Sequence, residues 1–299
     1  MKFESSRPLW NKHVLYDRIL LGIVHLVNIN KKYFEEGIES PSFEHHLKKV
    51  SFDLPEVQGE GLYELTVETE PGYMSPAIKV HQWRTKDTPT VVYHHGANEH
   101  PFDKTFNNIF SPEYLVDANL LVIRSPFHQK SEMELWNAAI DLSKYMALMA
   151  VSVKITEGVL SEWVKSPEHT VVAGYSLGGF ITNRHHVVYD SAGAYVPFMA
   201  GTAHAEIFLD TWKAAPEAVK NAQVLRNHLN FDREWAGKAH GNVFPVLGRY
   251  DILNLLEVQG PSYGDVPVEV WDIGHLSGIK EYQKMREKIL CHLPGLEKN

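Results

Sequence analysis

A serine between two glycines is the feature of this chain best suited to covalent chemistry. The segment Gly174-Tyr175-Ser176-Leu177-Gly178 follows a short apolar run, Thr170 to Ala173, and a helix-like pattern begins after it. So sharp a bend needs glycine on both sides of its apex, because side chains there would collide. The serine hydroxyl would point away from the backbone, and the Leu177 amide at the helix start could stabilise negative charge. The pattern therefore predicts a nucleophilic serine at position 176.

The strand, sharp turn and helix around Ser176 resemble the nucleophile elbow of the α/β-hydrolase family, and the resemblance extends over about residues 60 to 292. In that family the chain order is nucleophile, acid, histidine, each in a loop after a strand. Asp251 follows the apolar run Phe244 to Leu247, and His275 comes later, after a second predicted strand. The resemblance implies that His275 takes the proton from Ser176 and that Asp251 orients its imidazole.

Each of these assignments has a plainer alternative. The Ser176 motif could be a glycine-rich surface turn, and His275 could be an ordinary loop histidine. Asp251 could cap a helix, with Asp272 as the acid instead. Asp251 is preferred because the base needs a loop carboxylate that approaches its ring, whereas Asp272 lies nearer the preceding predicted strand.

A second glycine turn, His95-Gly96-Ala97, follows the apolar run Thr90 to Tyr93. The resemblance implies that this turn supplies the second backbone donor of an oxyanion hole, which by position is the amide of Ala97, with Asn98 as the fallback. The amides of Leu177 and Ala97 would then hold the negative oxygen of a tetrahedral intermediate.

Apolar runs alternate with helix-like segments and so predict the elements that position these residues. Two alternating runs, Leu62 to Thr69 and Ala77 to Trp83, predict antiparallel opening strands, and later continuous apolar runs predict buried parallel strands. The predicted fold is α/β, with a mostly parallel central sheet flanked by helices (the α/β-hydrolase fold), a helical lid insertion and an N-terminal helical extension. The predicted boundaries are 1–49 for the extension, 50–203 and 243–299 for the core, and 204–242 for the lid.

An apolar run in the N-terminal extension, Ile19 to Ile29, could indicate a membrane-spanning segment. It is too short to span hydrocarbon and is enclosed by charged residues. A buried helix is therefore predicted, with an interfacial or substrate-gating helix as the alternative.

Aromatic side chains near the predicted site favour an apolar acyl or alcohol pocket. The predicted substrate-binding residues are Phe102, His128 and Trp212, and His204 could also reach the pocket. Ordinary core or lid packing is the alternative for each of them.

Composition excludes several other classes of protein. A net charge of −8 without a Lys/Arg cluster argues against a nucleic-acid partner. Cys291 is the only cysteine, which excludes an internal disulfide, and it is predicted to be a small core residue. The 17 histidines include His185 and His186, predicted to face solvent, but none forms a metal-binding motif, so no metal is predicted. The first eight residues show no signal-peptide pattern, which predicts a cytoplasmic protein.

The residues and the resemblance together predict a carboxylesterase-like serine hydrolase. It would cleave a carboxylic ester or related acyl bond through an acyl-enzyme, with no cofactor. Its predicted partner is a small ester or acyl substrate with an apolar part, and no integral membrane segment is predicted. The alternatives are an acyltransferase, a haloperoxidase-like or lyase-like enzyme of the same fold, and a catalytically silent ligand-binding protein.

Overall fold

Ten strands are found in the computed structural model, which describes residue 8 and residues 10–27, 32–97, 99–131, 133–210 and 214–293. Eight of them form one sheet in the order β1-β4-β6-β5-β7-β8-β9-β10, and β2 and β3 form a separate hairpin. The strands are Gly61–Glu64 (β1), Val67–Thr69 (β2), Gly72–Met74 (β3), Ala77–Gln82 (β4), Thr90–His94 (β5), Asn119–Arg124 (β6), Thr170–Tyr175 (β7), Ala194–Phe198 (β8), Val246–Gly248 (β9) and Glu269–Trp271 (β10).

Helices cover both faces of this sheet, together with one π-helical turn, Val159–Trp163, and one 3₁₀ turn, Pro167–His169. The α-helices are Lys12–Val27 (α1), Phe43–Lys49 (α2), Lys104–Ile109 (α3), Glu134–Ala138 (α4), Leu142–Gly158 (α5), Leu177–Val188 (α6), Glu206–Leu209 (α7), Pro216–Lys220 (α8), Ala222–Leu229 (α9), Asp232–Ala236 (α10), Leu256–Ser262 (α11), His275–Gly278 (α12) and Tyr282–Cys291 (α13).

The sheet is mostly parallel, as predicted. Strands β5 to β10 run parallel to one another, whereas β4 pairs antiparallel with both β1 and β6 at one edge. Every residue of β5, β6, β7 and β8 is buried, which is why these strands read as continuous apolar runs. Their hydrophobic side chains fill two cores, one on each face of the sheet.

The opening of the sheet differs from the sequence prediction in one respect. The run Leu62 to Thr69, predicted as a single strand, is divided between β1 and β2. Residues of β1 pair with β4, whereas β2 turns back through Glu70-Pro71-Gly72 to pair with β3. Gly72, the first residue of β3, has a positive φ of 117°, which glycine adopts without steric cost.

Among the described side chains of the N-terminal helix α1, at positions 12–22, only one face is buried, which differs from the predicted buried helix. Val14 and Asp17 are fully buried, whereas Leu15 and Ile19 on another face of the helix are about half exposed. One face of α1 therefore packs on the molecule, against α12, while the other meets solvent. In the apolar run, the side chains at 23–27 and the whole of residues 28 and 29 lie outside the described part of the chain. No helix in the described ranges is long and apolar enough to cross a membrane.

His185 and His186 are fully buried, which contradicts the prediction that they face solvent. Helix α6 packs on β7 and β8 and also contacts α5, so nearly its whole circumference is covered. The His186 ring is hydrogen-bonded at Nδ1 to Asp190 Oδ1 (2.9 Å) and at Nε2 to His240 Nδ1 (2.9 Å). Burial lowers the pKa of His186 to about 4, so the ring is neutral at pH 7.

This lowered pKa makes the fold sensitive to mild acid. Between pH 6.5 and about 4 the unfolded chain binds a proton at His186 that the folded chain does not, so the free energy of unfolding falls as pH falls. At pH 5.5 such a histidine lowers the free energy of unfolding by about 1 kcal/mol. We expect His186→Gln to flatten the pH dependence measured by urea unfolding from pH 7.5 to 5.5. His45→Gln, at an exposed histidine, serves as the control, and an equal change in both variants would contradict the assignment.

Cys291 is exposed on the last turn of α13, which corrects its prediction as a core residue. The apolar face of that helix is supplied by Met285 and Ile289 instead, both fully buried. Position 291 lies two residues beyond Ile289, and a step of two in a helix leads away from the buried face.

Candidate active site

Ser176 lies at the apex of the turn between β7 and α6, in a backbone conformation that non-glycine residues rarely adopt (φ 55°, ψ −113°). The glycines at positions 174 and 178 make this sharp turn possible. A Cβ atom on Gly174 would lie 2.4 Å from the carbonyl carbon of Gly178, and one on Gly178 would lie 2.0 Å from the carbonyl oxygen of His94. The strained turn is therefore held by backbone packing on both sides, which is typical of a functional residue.

Three strand ends bring the predicted catalytic side chains together. Ser176 follows β7, Asp251 follows β9 after two residues, and His275 follows β10 after three. Because these strands are parallel, their C-terminal ends share one edge of the sheet. His275 Nε2 lies 2.9 Å from Ser176 Oγ, and His275 Nδ1 lies 2.7 Å from Asp251 Oδ2. All three residues are at least nine-tenths buried.

Asp251 has the surroundings of an orienting acid. Its Oδ1 accepts hydrogen bonds from the main-chain N–H groups of Leu253 and Asn254, both at 2.8 Å, which leaves Oδ2 for the His275 ring. The rival, Asp272, is elsewhere: its carboxylate pairs with Arg249 Nε at 2.6 Å and its side chain is 71% exposed. The structure thus separates the two acids that the sequence left as alternatives.

The glycine turn after β5 lies beside the serine. His94 is the register partner of Gly174, so the next residues of the two strands also lie side by side. A Cβ atom on Gly96 would be 3.6 Å from the Tyr175 carbonyl oxygen and 4.0 Å from Ser176 Cβ. The predicted donor Ala97 lines the same cavity as Ser176, whereas Asn98 lies outside the described residues.

Two neighbouring side chains, His95 and Glu99, hold this turn in place. His95 Nδ1 donates to the Gly96 carbonyl (2.8 Å), and its Nε2 accepts from the Ser125 N–H (3.1 Å), an arrangement that requires a neutral ring. Burial lowers its pKa well below the ordinary value, in agreement. Glu99 accepts from the N–H groups of Gly96 (3.3 Å) and Thr105 (2.6 Å), and burial raises the pKa of its carboxyl to about 7.

A cavity of about 320 Å³ opens over the serine and the histidine. Its wall is mostly apolar, with a few polar groups such as Glu99 and Lys104, and is typical of a small-molecule site. Its apolar lining includes Leu21, Ile207 and Phe208.

The predicted substrate-binding residues are not brought to this wall. Phe102 packs near His95 and under Arg124, and the His128 ring packs against His95 with 4.4 Å between the ring centroids. Both side chains pack near the glycine turn on its side away from the cavity and do not line the cavity. This corrects their assignment as substrate-binding residues. Trp212 lies outside the described residues.

His204 is also kept from the cavity. Its ring stacks on Phe180 at 3.9 Å and its Nε2 is 2.9 Å from the Tyr145 hydroxyl, in a fully buried position. Phe208, four residues further on in α7, lines the cavity instead. Because spacing in a loop does not reveal which side chains point inward, the sequence could not distinguish them.

Asp17 and Tyr175 contact the His275 main chain, and the sequence interpretation included neither. Tyr175 O–H donates to the His275 carbonyl oxygen at 2.5 Å. Asp17 lies on α1, far away along the chain, and meets the N–H of the same residue. The one available signal was an acidic residue beside an apolar helical run, which is costly unless the charge has partners.

The described residues contain no group of three or more His, Cys, Asp or Glu side chains able to hold a metal ion. What the site offers is a serine next to an oriented base, with main-chain N–H groups nearby. That arrangement can activate a hydroxyl for attack on a carbonyl carbon.

Comparison with solved structures identifies the architecture. Acetyl xylan esterase 1 from Thermoanaerobacterium sp. JW/SL YS485 superposes with a TM-score of 0.59 and 10% identity, covering 88% of this chain and 97% of its own. An esterase from Pyrococcus furiosus gives a TM-score of 0.53 and 16% identity, covering 82% and 97%. A fluorophosphonate-binding serine hydrolase from Staphylococcus aureus gives 0.50 and 16%, covering 78% and 98%. No family model and no curated protein sequence matches the chain. The chain has the α/β-hydrolase fold.

Proposed function

We propose that this α/β-hydrolase-fold protein is a serine hydrolase that cleaves a carboxylic ester or related acyl bond. The observation that carries the proposal is the continuous hydrogen-bonded series from Ser176 Oγ through the His275 ring to Asp251 Oδ2, with distances of 2.9 and 2.7 Å. That series is what converts a serine into a nucleophile. The esterases and the serine hydrolase of the same fold support this reaction class.

The first half-reaction forms an acyl-enzyme. Ser176 Oγ attacks the carbonyl carbon of the substrate while His275 Nε2 takes the hydroxyl proton, and Asp251 stabilises the resulting imidazolium. The carbonyl oxygen becomes negative and is held by the amides of Leu177 and Ala97. When the tetrahedral intermediate collapses, the bond to the leaving alcohol breaks, and His275 donates its proton to that alcohol.

The second half-reaction returns the enzyme to its starting state. Water attacks the acyl carbon, His275 takes a proton from it, and the bond to Ser176 Oγ breaks as the proton returns to the serine. No step in this sequence needs a cofactor. The cavity volume of about 320 Å³ and its apolar wall favour a small acyl or alcohol group.

We further propose that the helices between β8 and β9 form a lid over the cavity. Ile207 and Phe208 of α7 line the cavity, so this insertion contributes to its wall. We assign residues 204–242 as the lid, 50–203 and 243–299 as the catalytic core, and 1–49 as an N-terminal extension. The proposed location of the protein is the cytoplasm.

A fluorophosphonate probe tests the reaction class directly. It should attach covalently to Ser176, and mass spectrometry of the digested protein should place the adduct on the peptide that contains this residue. Ser176→Ala should give no adduct, and Ser161→Ala, at an exposed serine bonded to the Glu157 carbonyl, should label like the unchanged protein. A folded protein that stays unlabelled at Ser176 would refute the proposal. Nitrophenyl esters of increasing acyl length would then define the acyl preference.

A further inference from the structure

The N-terminal helix α1 supplies a buried carboxylate to the loop that carries His275. Asp17 has no exposed surface. Its Oδ2 accepts the N–H of His275 at 2.5 Å, and its Oδ1 accepts those of Leu276 and Ser277 at 3.1 Å each. Three successive main-chain N–H groups at the start of α12 are thus satisfied by one side chain from a distant part of the sequence.

The fit between Asp17 and this loop is close. A Cβ atom on Gly274 would lie 2.4 Å from Asp17 Oδ2, so only glycine allows the carboxylate to approach. With the Tyr175 hydroxyl on the His275 carbonyl, every polar group of His275 has a defined partner. Asp17 and Tyr175 hold its main chain, and Ser176 and Asp251 hold its ring.

We propose that Asp17 is a positioning residue for the reaction of Ser176, because it anchors the main chain of His275 and so sets where the ring stands between Ser176 and Asp251. This inference rests on the proposed function. It also makes α1 part of the active site and not only an appendage of the fold.

Other contacts of α1 connect it to both catalytic loops. His13 Nδ1 is 2.9 Å from Ser277 Oγ, next to the histidine loop. The same ring lies parallel to that of Tyr250, with 5.8 Å between the centroids, and Tyr250 directly precedes Asp251. Lys280 Nζ lies 4.2 Å from the Tyr16 ring centroid, and Leu21 lines the cavity. One helix therefore contacts the base loop, the acid loop and the substrate cavity.

The surroundings of Asp17 argue against a purely stabilising role. Burial raises the pKa of its carboxyl to about 6, although the neighbouring His275 opposes the rise. A raised carboxyl pKa means that ionisation disfavours the folded state, so a charged Asp17 above pH 6 lowers the stability of the fold. An asparagine of the same size avoids this loss, but it has only one acceptor oxygen. Whichever way its amide is turned, the NH₂ group faces either the N–H of His275 or those of Leu276 and Ser277. Activity and stability should therefore respond differently to the change.

Asp17→Asn is the test, with turnover of 4-nitrophenyl acetate and thermal unfolding measured at pH 7.5. We expect kcat to fall by about 10- to 100-fold, because a small displacement of a catalytic group has effects of that size. KM should change by less than about 2-fold, and Tm should fall by no more than about 2 °C. A fall of kcat in proportion to lost folded protein would overturn the proposal, as would an unchanged kcat.

Asp141→Asn is the matched control. Asp141 also accepts a main-chain N–H at a helix start, that of Lys144 at 2.9 Å in α5, but it makes no contact with the catalytic loops. Asparagine can keep that cap through its side-chain oxygen, so kcat and Tm should both stay nearly unchanged. If the two variants behave alike, Asp17 is an ordinary cap.

A proton NMR measurement separates failure of this inference from failure of the proposed function. The His275 Nδ1–H that faces Asp251 should give a low-field resonance, identified by its loss in Asp251→Asn. Asp17→Asn should shift or broaden that resonance, whatever the substrate. An unchanged resonance would overturn the positioning role, even if Ser176 is labelled by fluorophosphonate. A changed resonance in a protein that never labels would refute the hydrolase assignment alone.

Discussion

Replacing Asp251 by asparagine is expected to lower the turnover of nitrophenyl esters by about 10⁴-fold, with little change in stability. The asparagine oxygen can keep the hydrogen bonds from Leu253 and Asn254 that Oδ1 accepts at 2.8 Å. Its amide NH₂ then faces His275 Nδ1 and donates to it. The ring is forced into the tautomer that carries its proton on Nε2, next to Ser176 Oγ, where it cannot act as a base.

Asp272→Asn is the matched control for this prediction. Both residues are aspartates in loops near the C-terminal edge of the sheet, but the Asp272 side chain is 71% exposed and pairs with Arg249. Exposed ion pairs contribute little, about 0–1 kcal/mol, so kcat and stability should both remain nearly unchanged. The measurement is steady-state kinetics of the two purified variants at pH 8. A larger loss in Asp272→Asn than in Asp251→Asn would reverse the assignment of the acid.

Replacing Gly178 by alanine is expected to destabilise the fold by more than about 4 kcal/mol, or to prevent soluble expression. The new methyl group would lie 2.0 Å from the His94 carbonyl oxygen and 2.5 Å from its carbonyl carbon. Both atoms belong to the main chain of β5, in the middle of the sheet and paired with strands on both sides. Neither can move by the required 1 Å or more without breaking those hydrogen bonds.

For Gly22→Ala, the same type of substitution, we expect no loss of stability. Gly22 lies within α1, and an added Cβ would meet no atom within 4 Å. Alanine is favoured over glycine in a helix by up to about 1 kcal/mol, so this variant should be as stable as the unchanged protein or more so. Urea unfolding followed by circular dichroism measures both variants. A Gly178→Ala protein within about 1 kcal/mol of the unchanged chain would contradict the packing described for the elbow.

Much of the fold and the sharp turn at Ser176 could be predicted because short-range sequence patterns determine them. Continuous apolar runs mark β5 to β8, since both faces of these strands are buried. The prediction of a mostly parallel α/β sheet is confirmed by the strand order and by the solved structures of the same fold. The structure also brings Ser176, Asp251 and His275 within hydrogen-bonding distance, and their catalytic roles remain the prediction that the fluorophosphonate experiment tests.

The wrong predictions concern residues whose surroundings come from distant parts of the chain. His185 and His186, which the sequence interpretation expects to face solvent on the helix after the serine turn, are fully buried. Helix α6 is covered on nearly all sides, and polar partners such as Glu157 and His240 make burial of these rings possible. Phe102 and His128 follow strands near the site, but the loops turn them behind the glycine turn at 95–97 and away from the cavity.

The sequence by itself determined the sharp turn at Ser176 and the order of the predicted catalytic groups. A turn that leaves no room for side chains at positions 174 and 178 requires glycine there, and each predicted catalytic side chain follows a strand end. Only the tertiary structure decided that Asp251 and not Asp272 meets the base, which side chains line the cavity, and that Asp17 reaches His275. These contacts join residues up to 258 positions apart, and no local pattern specifies which distant surfaces will meet.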